Sequence, residues 1–177
     1  MYNTRLDGLT EYPFQRLAAL LGGPATPDAI NMSIGEPQHS PPALLHAALE
    51  KHRADWGKYP PTNGSPDFRA AVTAWANHRY ALPAGFLDAE RHILPIAGSR
   101  EGLFMAAQLC TPPNKAGHKP TILMPNPFYQ VYFGAAVMHG ADPVYVPADA
   151  STGFQPDYTS VAKADLERAS CAYLCTP

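Results

Sequence analysis

Cysteine is scarce: three among 177 residues, an odd number that builds no disulfide framework in a chain of this size. Charge is scarce as well. Asp, Glu, Lys and Arg make up 16% of the residues, and thirteen bases against fifteen acids leave a formal charge of −2. That balance offers no basic field to nucleic acid or to an anionic membrane surface, so neither is expected as a partner. No apolar run approaches the roughly 20 residues of a spanning helix. Met1 to Asp7 lacks the charged-then-apolar layout of a secretion signal. These absences lead to the expectation of a soluble, cytoplasmic protein.

Several chemical signatures are missing too. No G-x-G-x-x-G follows a strand pattern and no G-x-x-x-x-G-K-[ST] occurs, so dinucleotide and Walker-type sites have no support. No G-x-S-x-G elbow presents a serine nucleophile. The seven histidines are scattered without an H-x-x-x-H or H-E-x-x-H pair, and no metal site is expected.

What remains is ample apolar material, 46% of the residues, enough for one domain with a core. Twenty prolines, roughly twice the usual share, punctuate periodic segments and form no tract. Phe14 to Leu21 has a helical pattern ended by Gly22-Gly-Pro24, and Ile30 to Ile34 is a short extended stretch running into a Gly- and Pro-rich loop. Pro41 and Pro42 open a helix with Leu44, Leu45, Ala48 and Leu49 on one face. Gly57 to Gly64 reads as irregular. Ser65-Pro-Asp67 then supplies an N-cap, a proline at the first helical position and an acid in the first turn. Phe68, Ala71, Val72 and Trp75 recur behind it at helical spacing.

From residue 91 short apolar runs alternate with helices. Strands are expected at Ile93–Ala97, Thr121–Met124, Pro143–Val146 and Ala172–Cys175, with helices at Gly98–Gln108, Phe128–Met138 and Tyr158–Arg168. The implied fold is α/β, a partial doubly wound and mostly parallel sheet with flanking helices. The chain stops at Ala172-Tyr-Leu-Cys-Thr-Pro177, in or just after an apparent buried strand and without a polar tail. Truncation is therefore expected.

Two sites stand out. In the strand-to-helix turn Ala97-Gly-Ser-Arg-Glu101 a glycine and a small hydroxyl residue open the helix. Unpaired N–H groups and the positive dipole end then face a phosphate or carboxylate, and Arg100 adds a charge-assisted contact. The same residues also fit an ordinary helix start with Ser99 satisfying the first turn. The second site is Pro125-Asn-Pro-Phe-Tyr-Gln-Val-Tyr132, which puts Phe128 and Tyr129 at the same carboxyl edge of the sheet, where open α/β folds bind ligands. An aromatic face there stacks on a flat ring, whereas Phe128 and Tyr132 suit core packing. Cys171 and Cys175, four apart in a strand pattern, would lie about 13 Å apart and share neither metal nor disulfide. They read as buried small hydrophobes.

Taken in order, four segments resemble the N-terminal half of a class I/II (fold-type I) pyridoxal-phosphate aminotransferase. They are Ser33-Ile-Gly-Glu-Pro37, Tyr59-Pro-Pro-Thr-Asn-Gly-Ser-Pro-Asp-Phe-Arg69, Gly98-Ser-Arg-Glu-Gly-Leu-Phe104 and Pro125-Asn-Pro-Phe-Tyr129 with Gly140-Ala141 behind it. Within the family, Tyr12-Pro-Phe14, Ser33 to His39 and the Pro125-Asn-Pro-Phe-Tyr-Gln130 run look most like the N-succinyldiaminopimelate aminotransferases of lysine and cell-wall precursor biosynthesis. The resemblance implies pyridoxal 5'-phosphate as cofactor. It makes Gly98, Ser99 and Arg100 the phosphate turn and Tyr129 the ring-stacking aromatic. It makes Tyr59 a tyrosine reaching across a homodimer to the neighbouring cofactor phosphate, and Gly35 the glycine beside the substrate carboxylate. Glu101 and Arg69 read as structural. The implied layout is an N-terminal arm and substrate loop over 1–40 and an incomplete cofactor-binding large domain over 41–177.

The resemblance also implies what the chain does not carry. The Schiff-base lysine would lie beyond Pro177, and Lys51, Lys58, Lys115, Lys119 and Lys163 read as solvated surface charges, so no catalytic residue is expected. The implied reaction moves an amino group from glutamate to an oxo-acid, N-succinyl-2-amino-6-oxopimelate in the narrower reading, and the 177 residues alone would be inactive. Two alternatives stand: another aminotransferase taking an aspartate or aromatic oxo-acid, and a short non-catalytic protein using Gly98 to Arg100 as a simple anion site.

Overall fold

The computed structural model describes residues 2–23, 26–30, 32–33 and 35–176. Pro24 of the expected helix stop, Asn31 and Ile34 of the expected extended stretch, and Pro177 lie outside the described residues. The chain divides into two compact units, Leu21–Pro95 and the combination of Met1–Leu20 with Ile96–Pro177.

The larger unit begins with a 3₁₀ turn, Thr4–Gly8, whose Asn3 side chain accepts from the Arg5 N–H, and continues into α1 (Pro13–Leu21). In Leu21–Pro95, α2 (Ala43–Lys51) forms where the leucine spacing places it, yet Leu44, Leu45 and Leu49 all stay exposed. α3 (Pro66–Tyr80) starts as its sequence dictates: Ser65 Oγ accepts from the Phe68 N–H, Pro66 occupies the first turn and Asp67 faces the positive dipole end.

The rest of the larger unit is α/β. It runs α4 (Ser99–Cys110), β1 (Thr121–Asn126), α5 (Gln130–Met138), β2 (Asp142–Pro147), two 3₁₀ turns, α6 (Lys163–Glu167) and β3 (Ala169–Ala172). The sheet order is β2-β1-β3 and both pairings are parallel. β1 is central, and its first five residues are buried, which is why Thr-Ile-Leu-Met-Pro reads as a continuous apolar run with no alternation. Buried Thr121 satisfies its hydroxyl by donating to the Asp165 carbonyl at 2.8 Å. The core joins Ile122 and Met124 to Ala107, Tyr132, Ala135, Ala136, Ala141 and Tyr173. Ala135 and Ala136, both fully buried, let α5 lie close on the strands. The chain leaves β1 toward β2, then returns past β1 to β3. In open α/β sheets such a reversal marks, at the carboxyl ends of the strands, the place where ligands bind.

Five expectations need correction. Ile93–Ala97 forms no strand: Pro95 has no N–H for a ladder, and the sheet offers it no partner among the described residues. Tyr158–Arg168 is a 3₁₀ turn, Tyr158–Ser160, separated from the short α6. Asp157 diverts the Thr159 N–H and hydroxyl onto its own carboxylate, and Val161 and Ala162 are extended. The last strand lies three residues earlier than expected. Pairing begins with the Thr121 N–H on the Arg168 carbonyl, and the Tyr173 N–H bonds Leu123 just past the strand's end. The Tyr173 ring turns inward and stacks on Tyr132 at 4.1 Å. Cys175 therefore lies beyond the strand and is exposed, while Cys171 is half-buried. Lys115, expected in solvent, is half-buried with its ammonium on the Ala169 carbonyl.

Candidate functional site

The carboxyl edge of β1 carries the local chemistry. After Pro125-Asn126 the chain passes a cis Asn126–Pro127 bond, and Phe128 packs against the core while Tyr129 precedes α5. Tyr129 remains 37% exposed and meets Tyr132 edge-on, with ring centroids 5.8 Å apart. Its ring is thus partly exposed and is braced on one side by a buried side chain.

The α4 N-terminus lies beside it. Gly98 is the N-cap and no side chain caps the helix; Ser99 is already helical and does not satisfy the first turn. A Cβ on Gly98 would come within 2.7 Å of Glu101 Oε2, so glycine is what allows the Glu101 carboxylate to fold back against the helix start. A negative group at the uncapped N–H end is favourable without any ligand. One turn on, Gly102 lets Ile96 pass, since a Cβ there would meet the Ile96 methyl.

Arg100 links the two elements. Its Nε donates to the Tyr129 hydroxyl at 2.8 Å, and the guanidinium sits 5.8 Å from the centre of the Tyr129 ring. The bond to Tyr129, followed by that phenol's charge, raises the Arg100 pKa above its ordinary value, with smaller contributions from Tyr12 and Glu101. Tyr12 therefore lies in the neighbourhood of Arg100, a proximity its pattern did not reveal. The available sign was an aromatic pair, Tyr12 and Phe14, at the mouth of a helix, their rings 5.5 Å apart.

The structure thus brings Gly98, Ser99, Arg100 and Tyr129 together in one unit. Tyr59 and Gly35 belong to the other unit. Tyr59 is fully exposed. A Cβ on Gly35 would meet nothing within 4 Å, so nothing within its own surroundings requires a glycine. Arg69, read as structural, is buried and paired with Glu90, at 2.7 and 2.8 Å.

The donor set suits a phosphate ester attached to an aromatic ring: uncapped helix amides, a serine hydroxyl, a guanidinium and a partly exposed aromatic ring. Among the described residues no group of three His, Cys, Asp or Glu side chains could hold a metal, and no helix is long and apolar enough to cross a membrane. A cavity of about 420 Å³ between Arg5, Gly8, Val137 and Gly140 includes none of the candidate residues.

The family model described as aminotransferase class I and II matches residues 27–176. An LL-diaminopimelate aminotransferase of Desulforudis audaxviator is 29% identical over 98% of this chain and 43% of its own length. An aminotransferase structure from Neisseria meningitidis is 37% identical with a TM-score of 0.88, over 99% of this chain and 44% of that one. The N-succinyldiaminopimelate aminotransferase structure from Mycobacterium tuberculosis is 26% identical with a TM-score of 0.64, over 83% of this chain and 36% of that one. The chain therefore spans less than half the length of the relatives it matches.

Proposed function

The chain belongs to the class I and II aminotransferases, and from that premise we propose that it forms the amino-terminal portion of a pyridoxal-phosphate-dependent transaminase. The observation that carries this reading is the uncapped α4 start with Arg100 bonded to Tyr129 at the sheet's carboxyl edge. The amides at Ser99 and Arg100, the Ser99 hydroxyl and the Arg100 guanidinium hold the phosphate dianion. Tyr129 orients the pyridine ring against its face. Tyr59 reaches the phosphate held by a second copy in a cytoplasmic homodimer. Gly35 leaves room beside the substrate carboxylate. The cofactor, when bound, supplies an electron sink. The residues of this chain supply binding and orientation and move no proton at the reacting carbon. Lys115 is committed to the Ala169 carbonyl and Lys119 to Asp142, so neither is available as a proton carrier.

The substrate class we assign is a glutamate donor with a diaminopimelate-type acceptor. The run from Ser33 to His39 and the likeness to the Mycobacterium tuberculosis structure favour the N-succinyl form. The Desulforudis audaxviator relative favours the unsuccinylated compound. Steady-state kcat/KM of the full-length protein decides, with N-succinylated and free diaminopimelate, aspartate and an aromatic amino acid offered against 2-oxoglutarate. Highest turnover on a diaminopimelate supports the assignment. Preference for aspartate or the aromatic overturns the substrate class, and no turnover on any of the four overturns the function.

A further inference from the structure

Leu21–Pro95 is organised around a charge. Among its described residues only Gly64 and Arg69 are buried, and Arg69 is 4% exposed. Burying a guanidinium is costly unless its donors are used. Nη2 of Arg69 takes both Glu90 oxygens, at 2.7 and 2.8 Å, and Nη1 donates to the carbonyls of Asn63, at 3.2 Å, and Gly64. Glu90 is itself tied down, its N–H bonded to Asp88 Oδ1 at 2.8 Å.

Those two carbonyls end the turn that follows Tyr59. The Gly64 N–H closes the turn on the Pro61 carbonyl at 2.9 Å. Pro61 opens the turn, and between it and Tyr59 stands only Pro60. Consecutive prolines fix φ near −65° and hold the residue before them extended, so the link from turn to tyrosine is stiff. On the other side the Lys58 N–H bonds the Asp55 carbonyl at 3.1 Å, and its ammonium meets the Asp55 carboxylate at 2.8 Å. A rigid segment anchored at both ends thus carries a fully exposed phenol.

We propose that Arg69, held by Glu90, is a positioning residue for Tyr59: by gripping the 61–64 turn it sets the direction of the phenol and hence its hold on an anionic phosphate ester. The inference rests on the role given to Tyr59 under Proposed function.

The test is a double-mutant cycle on the full-length protein, reading the dissociation constant for pyridoxal 5'-phosphate by absorbance and the hydrogen exchange of the Gly64 amide. Glu90→Ala removes the carboxylate that holds Arg69, and Arg69→Lys, which keeps the charge and loses the fork, is the second variant. Tyr59→Phe is expected to weaken the cofactor roughly tenfold, the scale of a hydrogen bond to a charged group. Glu90→Ala and Arg69→Lys are each expected to weaken it about threefold or more and to speed Gly64 exchange, with no further loss once Tyr59 is Phe. Equal losses in both backgrounds, or an unchanged constant in Glu90→Ala and Arg69→Lys, overturn the positioning role. An unchanged constant in Tyr59→Phe with faster Gly64 exchange in Glu90→Ala rejects the phosphate assignment of Tyr59 and upholds the clamp. Unchanged exchange overturns the clamp.

Discussion

Arg100 Nε donates to the Tyr129 hydroxyl at 2.8 Å, and that bond ties the first turn of α4 to the residue just before α5. A cationic group is thereby held beside an uncapped helix start, and its aromatic partner is steadied by the same contact. Replacing Arg100 by Gln removes the charge and loosens Tyr129. The dissociation constant for pyridoxal phosphate in the full-length protein should rise about tenfold or more, as for loss of a charged hydrogen bond. Tyr129→Phe keeps the ring and should cost only a few-fold. Absorbance titration of both variants checks the order.

Gly64 has φ +79°, and a Cβ there would lie 3.1 Å from Pro95 and 3.4 Å from Phe68. Both the backbone and the space call for glycine. Gly64→Ala should destabilise by roughly 1–3 kcal/mol, the scale of a strained left-handed residue. Denaturant unfolding measures it.

Ser65 caps α3 through its side-chain oxygen on the Phe68 N–H, at 3.2 Å. Ser65→Ala should cost about 1 kcal/mol and Ser65→Asp close to nothing. Paired unfolding curves separate the two.

Burial, above all, pushes the Tyr173 phenol up to about 12, with smaller contributions from Cys171, Tyr132 and Cys110. In the fold its hydroxyl donates to the Leu103 carbonyl at 2.7 Å. Unfolded, the same phenol ionises near 10. The native state thus holds the proton more tightly, and this contribution is complete below about pH 10 and lost as pH rises toward 12. A phenolate absorbance titration of wild type against Tyr173→Phe should show the missing step near 12. A step near 10 would contradict the buried geometry.

On the roles proposed above, which give this chain binding and orientation alone, the 177 residues on their own should turn over no glutamate with added cofactor. Clear turnover by the isolated chain would falsify that assignment of roles.

Much of this was legible in the order of residues. Ser65-Pro-Asp67 announces α3 because capping chemistry is local. Thr121–Met124 announces β1 because a strand covered on both faces needs no polar alternation. The start of α4 at Gly98-Ser99 was legible for the same reason: a helix start is read over a few residues. What failed depends on distant partners. Nothing near Ile93–Ala97 reveals that no ladder awaits it, and nothing near Ala172 reveals that pairing begins at Ala169. Arg69 was recognised as structural, but its grip needs Glu90, twenty-one residues away, and no short pattern joins them.

The hydrogen bond from Arg5 Nη1 to the Met138 carbonyl spans 133 residues. Its acceptor therefore does not exist until most of the chain has been synthesised. At about 5–20 residues per second, the amino-terminal turn waits several seconds or more on the ribosome for its landing place. Leu21–Pro95, continuous in sequence, has no such delay. The arm is thus made well before its acceptor, so a chaperone that holds nascent segments would meet it free during the interval.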